Sequence, residues 1–459
     1  MVTVPAPRVR LVVLNYNGGD LVVRCVEHLE RLDWPEDRLE IVVIDNASAD
    51  GSAEALADRP RVRLIRSPEN HGFPGNNLAL RDLDGLDYVG LINNDAFVTP
   101  GFLGPLVAAL EDDARLGAAC PKIVLAPRFR DLAVVAPPFV PPDDGRELGV
   151  RISGLRVGGV HKGRNAVYAE GVHSAERGGA DEPEFRWTAG KALIRVPVDA
   201  VSAAAPGEAE HDAGDLVAEV RVAADRPVVA TLDGGGEAVE VEVGRTPRWV
   251  GVPLVGPTYD VVNNVGSDLV NGSWGGDRGF LEPDGGQFDE PRDVFAWCGA
   301  GVLFRPAYLR EVGLFDERFF MYYEDTDLSW RGRARGWRYR YVPGAVLRHV
   351  HAATSVEGSP LFHHYVERNR LVMLTKNAPW RLAAGAAVRF AMSTASYARR
   401  DVVRPLLRGR RPATGLVKAR VRSFAAYLRM LPEVLPERRR LRAAQVVPDE
   451  AITGWSVSR

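Results

Sequence analysis

The sequence predicts an α/β protein with a doubly wound, mostly parallel sheet, an inserted antiparallel β-sandwich-like domain and a basic helical C-terminal tail. Three observations predict this. Short apolar runs alternate with segments of helical spacing from Val9 onward, the pattern of strand–helix units that build a parallel sheet. Strict period-two alternation takes over between about Arg128 and Glu290, as expected of sheets with one solvated face. From Arg381 to Arg442 stand fifteen Arg and Lys418 against only Asp401, Glu433 and Glu437. With a net charge of −2 over 459 residues, the body is therefore acidic and the tail basic. The length suggests two or three domains, which we place at 1–127 and 291–380 (two halves of one domain), 128–290 (the insert) and 381–459 (the tail).

Val9–Asn15 is a continuous apolar run closed by polar residues, as in a buried parallel strand. Asn17-Gly18-Gly19-Asp20 punctuates it, and Leu21, Cys25, Leu29 and Leu32 repeat at helical spacing. Glu40–Ile44 is a second strand, running into Asp45-Asn46-Ala47-Ser48-Ala49-Asp50-Gly51-Ser52, with a helix opening near Ala53. Val62–Ile65 and Val89–Ile92 follow, the latter ending at Asn93-Asn94-Asp95. Ligands of open parallel sheets bind beyond the carboxyl ends of the strands, where Asn15, Asp45 and Asp95 all sit. A dinucleotide-binding fingerprint is absent, because Asn15-Tyr16-Asn17-Gly18-Gly19 lacks its glycine spacing, and no Walker loop is present. Glu69–Asn77 carries two glycines and three amides; it reads equally as a ligand loop or a surface turn.

In the insert, Leu216–Val222, Val239–Val243 and Lys191–Val198 alternate, and Asp233-Gly234 signals a turn. Trp187, Trp249 and Trp274 could stack on sugar rings or simply fill core. Phe295–Phe304 then returns as a buried strand, Asp327–Gly336 as an Arg-rich helix, Tyr339–Pro343 as a short strand, and Asn369-Arg370 as the start of another helix. Pro405, Pro412, Pro432 and Pro436 interrupt the tail. Basic amphipathic helices of this kind bind anionic membrane surfaces; nothing else in the chain points to nucleic acid.

Phe319–Leu328 sets Glu324, Asp325 and Asp327 directly after four aromatic residues. An apolar wall raises a carboxylate's proton affinity, as a general base requires. The plainer alternative is an acidic helix N-terminus that complements the helix dipole. No apolar run is long enough to span a membrane, Met1–Arg10 lacks the pattern of a signal peptide, and Cys25, Cys120 and Cys298 lie far apart. These features suit a reducing cytosol.

Taken together, the motifs resemble the inverting family 2 glycosyltransferases of the nucleotide-diphospho-sugar transferase (type-A) fold, in their rhamnosyltransferase-like and galactofuranosyltransferase-like bacterial branch. The matching stretches are Asn15-Tyr16-Asn17; Asp45-Asn46-x-Ser48-x-Asp50-Gly51-Ser52; Asn70-x-Gly72-Phe73 with Asn76; Leu91–Asp95; Gly313-x-Phe315-Asp316-Glu317; Glu324-Asp325-x-Asp327-Leu328; His349; and Arg368-Asn369-Arg370. They fall in Val9–Ile123 and Asp293–Trp380, about half of the chain. The resemblance assigns the insert no function.

The resemblance implies a donor that is a pyrimidine nucleoside diphosphate sugar, with Asp45 reading the base and Asn15, Asn46, Asn70, Gly72, Asn76 and Asn93 around the nucleotide. It implies Mg2+ or Mn2+ on Asp95, with His349, or failing it His351, as a further ligand. The family's Asp-x-Asp metal motif reads Asn93-Asn94-Asp95 here, so only its last acid remains. Asp325 becomes the general base, with Glu324 as second choice or as an orienting group. Trp297 and Gly299 flank the acceptor site, and Asp316 and Asp327 are structural or acceptor-side. The expected acceptor is a cell-envelope glycan or a lipid-linked sugar. The expected location is cytoplasmic, peripheral at the inner membrane face. The rival readings are a nucleotidyltransferase-type enzyme, which would want a basic phosphate loop after the first strand, and a non-catalytic carbohydrate-binding protein.

Overall fold

The structure is a computed structural model that describes residues 5–142, 144–163, 165–178, 182, 184–198, 216–350 and 359–458. His351, the fallback metal ligand, lies outside the described residues. The chain divides into two compact units. One comprises Met1–Val124, Asn263–Phe280 and Gly286–Arg459, the other Leu125–Val262 and Leu281–Gly285.

The larger unit is mixed α/β. It opens with β1 (Val9–Asn15), α1 (Gly19–Glu30), β2 (Leu39–Asp45), β3 (Val62–Arg66) and β4 (Tyr88–Asn93), continues through β5 (Ala96–Val98), α2 (Leu103–Asp112) and β6 (Leu116–Leu125), and resumes after the insert with β7 (Gly301–Phe304), α3 (Glu324–Ala334) and β8 (Arg338–His349). The main sheet runs β8–β6–β7–β4–β1–β2–β3. Strands β3, β2, β1 and β4 are parallel neighbours, and β7 runs antiparallel to β4 and β6. The apolar runs of β1, β2 and β4 are buried over most of their length, because both faces of these strands are covered, while β3 at the sheet edge is part-exposed. Register puts Asn15 opposite Asp45, so the polar residues that close these strands share one edge of the sheet.

The element bounds differ from expectation at three places. Only Gly301–Phe304 of the Phe295–Phe304 run is strand, since Gly299 and Ala300 turn to meet other groups. β8 runs on to His349 instead of ending at Pro343. Asn369-Arg370 lies in the middle of α4 (Pro360–Asn377), capped by the Ser359 hydroxyl, rather than at a helix start.

The segment expected to stand apart as a tail is part of this unit's core. α5 (Trp380–Ala398) and α6 (Gly415–Ala443) pack on α4, and Phe390, Tyr427, Val434 and Ile452 join Phe319, Trp330 and Met373 in one apolar cluster. Pro432 and Pro436 lie inside α6 without ending it. An ion cluster fastens the helices together. Lys376, with 0% exposure, contacts Asp316 at 2.5 Å, Asp327 at 3.0 Å and Glu437 at 3.3 Å. Arg331 reaches Asp327 at 2.9 Å, and Arg318 pairs with Asp316 and Glu437. Burial alone would raise the Asp316 pKa, but the Arg318 hydrogen bond and the Lys376 charge hold it well below the usual carboxylate range.

The smaller unit is antiparallel throughout. Its strands run in the order 239–243, 228–233, 129–135, 184–197, 151–157, 216–223, 248–254. One core, including Leu132, Ile194, Val220 and Val252, lies within it. The two ends of this sheet approach each other, with Val255 N–H donating to Gly234 O at 2.8 Å. The strand order is continuous, with Glu184–Pro197 pairing Phe129–Val135 over its second half and Arg151–Val157 over its first.

Removing one partner of a buried ion pair leaves an uncompensated charge. Lys376→Met should therefore cost about 3–5 kcal/mol, read as a lower midpoint in urea denaturation. The stabilisation from the depressed Asp316 is complete above the ordinary carboxylate pKa and is lost as the pH falls below it. A Lys376→Met protein as stable as the parent would show that the cluster contributes nothing.

Candidate active site

Asn15 closes β1 and is wholly buried. Its Nδ2 donates to Ser52 Oγ at 2.8 Å, Ser48 Oγ at 3.2 Å and Asp45 Oδ1 at 3.5 Å, while its Oδ1 accepts from Gly18 N–H and Asn94 Nδ2. Every polar atom of this side chain is used internally. It ties the loops after β1, β2 and β4 together. Asp45 is buried beside it, its Oδ1 accepting from Ser48 N–H at 3.3 Å; Oδ2 takes part in none of these bonds.

Asn46 performs a similar task one loop on. Its Nδ2 donates to Asn70 Oδ1 at 2.9 Å and Gly72 O at 3.1 Å, and its Oδ1 accepts from His71 N–H at 3.0 Å. Asn70 Oδ1 also accepts from Gly72 N–H, and Asn76 donates to Phe73 O. The four residues expected around the nucleotide thus shape the 70–77 loop. Gly72 has φ +64°, and a Cβ there would lie 2.0 Å from Phe320 O. Phe73 N–H donates to that same carbonyl at 2.7 Å. Asn77 clamps Phe315 through both its backbone N–H and C=O. The two sequence-distant halves of the site meet along this seam.

The turn before α3 is strained. Phe320, Tyr322 and Tyr323 have φ of +64°, +66° and +70°, a left-handed region that bulky residues avoid. Asn369 holds it. Its Nδ2 donates to the carbonyls of Phe319, Met321 and Tyr322, each at 2.8 Å, and Arg368 Nη2 reaches Arg318 O and Phe319 O. The sequence marked Asn369 only as part of a motif, without a role.

Glu324 and Asp325 open α3, so the helix N-terminus and the acid cluster are the same feature. Asp325 accepts from Thr326 N–H at 2.5 Å and from Thr326 Oγ1 at 3.1 Å, and Gly299 N–H also bonds it. Burial, opposed by the Thr326 bond and reinforced by the Asp277 charge, pushes its pKa up to about 6. Glu324 is more deeply buried. Burial and the Asp325 charge push it well above the ordinary carboxyl range, and its Oε2 has no hydrogen-bond partner. Asp325 is therefore the group of the two that ionises first.

Asp327 is 0% exposed, with Arg331, Lys376 and Asn377 on its oxygens, the structural of the two readings the sequence left open. Trp297 is likewise fully buried, edge-on to Phe304 and Phe315, and can shape an acceptor site only from behind. A Cβ on Gly299 would meet the Phe73 ring at 2.7 Å.

His349 ends β8 beside Ala96 of β5. Its Nε2 lies 3.1 Å from Asp95 Oδ1 and 3.3 Å from Asn93 Nδ2, and its Nδ1 lies 2.8 Å from Asn263 Oδ1. An amide oxygen only accepts, so Nδ1 donates to Asn263 Oδ1 and Nε2 is the nitrogen turned toward the carboxylate. Two acceptors at 3.1 Å need a proton or a cation between them. That separation also matches the edge, about 3.0 Å, of an octahedron with bonds of about 2.1 Å. The pair fits two adjacent ligand positions of a hard divalent cation. Among the described residues no set of three or more His, Cys, Asp or Glu could hold a metal alone, so a bound ion would need ligand oxygens. The pair is linked to the acid cluster through one loop. Asn93 N–H donates to Ala300 O at 3.1 Å, and the adjacent Gly299 bonds Asp325.

Asn263 and Asp277 escaped the sequence reading because they lay within the stretch assigned to the insert. Both belong to the larger unit.

Asn369→Ala should lower turnover by roughly a hundredfold, the order of effect of misplacing a reacting group by about 1 Å, while leaving nucleotide affinity near that of the parent. Turnover within twofold of the parent would show that the turn holds its conformation without Asn369.

Residues 11–132 match the model of glycosyl transferase family 2. Over 72 residues the chain is 43% identical to N-acetylglucosaminyl-diphospho-decaprenol L-rhamnosyltransferase of two Mycobacterium tuberculosis strains, a stretch covering 16% of this chain and 23% of each relative. The chain thus spans under a quarter of the length of the curated relatives it matches. Two solved structures align more widely and more loosely. A mannosyltransferase from Pyrobaculum calidifontis in complex with GDP-Man and Mn2+ is 15% identical over 98% of this chain and 79% of its own, with a TM-score of 0.37. GalNAc-T7 with UDP, GalNAc and Mn2+ is 12% identical over 94% and 57%, with a TM-score of 0.42.

Proposed function

With residues 11–132 a glycosyl transferase family 2 domain, we propose that the chain is an inverting glycosyltransferase. It moves a sugar from a pyrimidine nucleoside diphosphate, dTDP-rhamnose or a UDP-sugar, to a cell-envelope glycan or lipid-linked acceptor. The observation that carries this reading is the buried carboxyl pair Glu324–Asp325 at the start of α3, one loop away from the Asp95–His349 pair. The matched relatives are named for rhamnosyl transfer to a diphospho-decaprenol-linked sugar, which favours rhamnose and a lipid-linked acceptor here.

In this reading Asp45 Oδ2 accepts from the N3–H of the base, in a pocket whose walls Asn15, Asn46, Asn70, Gly72 and Asn76 set. Asp95 and His349 hold Mg2+ or Mn2+, which when bound neutralises charge on the departing diphosphate. Asp325 takes the proton of the acceptor hydroxyl as its oxygen bonds to the anomeric carbon and the bond to the diphosphate breaks. Glu324 donates a hydrogen bond that orients the acceptor. One displacement inverts the anomeric centre.

No helix among the described residues is long and apolar enough to cross a membrane. α5 and the segment between α5 and α6 expose Met392, Leu406 and Leu407 (82% exposed) among arginines. This supports peripheral binding at an anionic membrane surface, with the enzyme on the cytoplasmic side. Because this segment also builds core, the test is substitution rather than truncation. Leu406→Asp with Leu407→Asp should abolish sedimentation with phosphatidylglycerol vesicles, and undiminished sedimentation would discard this surface as the anchor.

The enzymatic reading is tested by calorimetry and transfer assays together. Asp325→Asn should bind dTDP or UDP with Mn2+ like the parent yet lose transfer by at least about a thousandfold. Asp95→Ala should lose the metal dependence of nucleotide binding. In the parent, the rate at saturating substrates should fall by half at about pH 6 as Asp325 gains a proton. Transfer that persists in Asp325→Asn, or a rate unchanged down to pH 5, would remove Asp325 as the base.

A further inference from the structure

Gly299 donates its N–H to Asp325, yet its φ lies outside the left-handed region, so backbone conformation does not call for a glycine there. The Phe73 ring does. A Cβ on Gly299 would stand 2.7 Å from Phe73 Cζ and 2.9 Å from Cε2, nearer than carbon atoms approach. The tip of the ring therefore rests directly on the Gly299 α-carbon, the close approach to backbone that glycine permits.

The ring is braced from behind. It meets Phe315 edge-on, with centroids 5.2 Å apart and planes at 89°, a favoured aromatic geometry. Phe315 is itself buried, held by Asn77 at both its N–H and its C=O, with Trp297 edge-on at 6.0 Å. The main chain of Phe73 is fixed too. Its N–H donates to Phe320 O at 2.7 Å, at the head of the strained turn that leads into Asp325, and its C=O accepts from Asn76 Nδ2 at 2.9 Å. One residue thus touches both stretches that present Asp325, the turn through its backbone and the Gly299 segment through its ring. Phe73 belongs to neither stretch. It follows the loop that Asn46 ties to the end of β2, next to Asp45.

We infer that Phe73 is a positioning residue for Asp325, whose ring sets where the Gly299 N–H points. The inference rests on the glycosyltransferase reading and adds to it a residue of the nucleotide loop that holds the general base in place. Phe73 acts through Gly299 and takes no part in proton transfer. The bonds that shape its loop come from Asn46, Asn70 and the backbone, so loss of the ring acts on the chemical step and spares nucleotide binding.

The test measures transfer from dTDP-rhamnose to N-acetylglucosaminyl-diphospho-decaprenol with Mn2+, alongside calorimetry of dTDP binding. Phe73→Leu keeps an apolar side chain but lacks the ring atoms that reach Gly299. It should lower kcat by roughly tenfold, a part of the hundredfold that misplacement by about 1 Å costs, with dTDP affinity near that of the parent. In an Asp325→Asn background no base is left to position, and groups that act as a unit are not additive. There Phe73→Leu should change the residual rate by less than about twofold. Gly299→Ala sets a methyl against the ring and should lose roughly a hundredfold in kcat, of which added Phe73→Leu, by vacating that space, should recover about tenfold. An unchanged kcat in Phe73→Leu, a loss that persists undiminished beside Asp325→Asn, or a Gly299→Ala protein that Phe73→Leu does not rescue each overturns the positioning role and leaves the glycosyltransferase reading standing. A parent protein without transfer counts against the reading itself, and the positioning role falls with it.

Discussion

Lys376 is the charge on which this unit's second half is assembled. It sits with no exposed surface among Asp316, Asp327 and Glu437, which come from the loop before α3, from α3 and from α6. An ammonium in that position is tolerable only because several carboxylates surround it, and the carboxylates are tolerable only because of the ammonium. The arrangement fixes how α3 and α6 sit on α4. Seven residues earlier on α4, two turns away and on the same face, Asn369 grips the strained turn that leads into Asp325. One helix therefore carries both the ion cluster that orients α3 and the amide that presents its first residues.

Strain and burial are concentrated where the chemistry is proposed. Three carbonyl contacts from a single amide hold a backbone that would relax in isolation. The resulting geometry sets Glu324 and Asp325 side by side in an environment that raises both pKa values, but unequally. Unequal environments for two neighbouring carboxyl groups separate an acid from a base. The Asp95–His349 contact follows a similar logic, because the Asn263 amide decides which imidazole nitrogen keeps its lone pair.

The many asparagines of the first half serve that same end by a different route. Asn15, Asn46, Asn70 and Asn76 spend their donors and acceptors on neighbouring loops. A parallel sheet delivers loops to one edge but does not hold them there. Short side chains with both a donor and an acceptor do so without adding charge. Gly72 completes the seam, since only a residue without a Cβ lets its loop lie against Phe320 O.

The parallel strands, the polar residues at their carboxyl ends, the acid cluster and His349 were legible in the sequence, because periodicity and local chemistry are properties of short stretches. The sequence alone thus determined which residue types gather at the edge of the sheet. It did not show what each touches. Asn15 and Asp327 looked like ligand groups, yet their partners come from residues 37 and 50 positions away. The tail read as a separate basic segment, because composition does not reveal that Phe390, Tyr427 and Val434 share a core with Phe319. Residues 263–280 read as insert, because alternation does not say which sheet a strand joins. Burial and hydrogen-bond satisfaction are settled by contacts between distant stretches, so only the tertiary structure decided which polar residues bind one another and which remain turned toward a ligand.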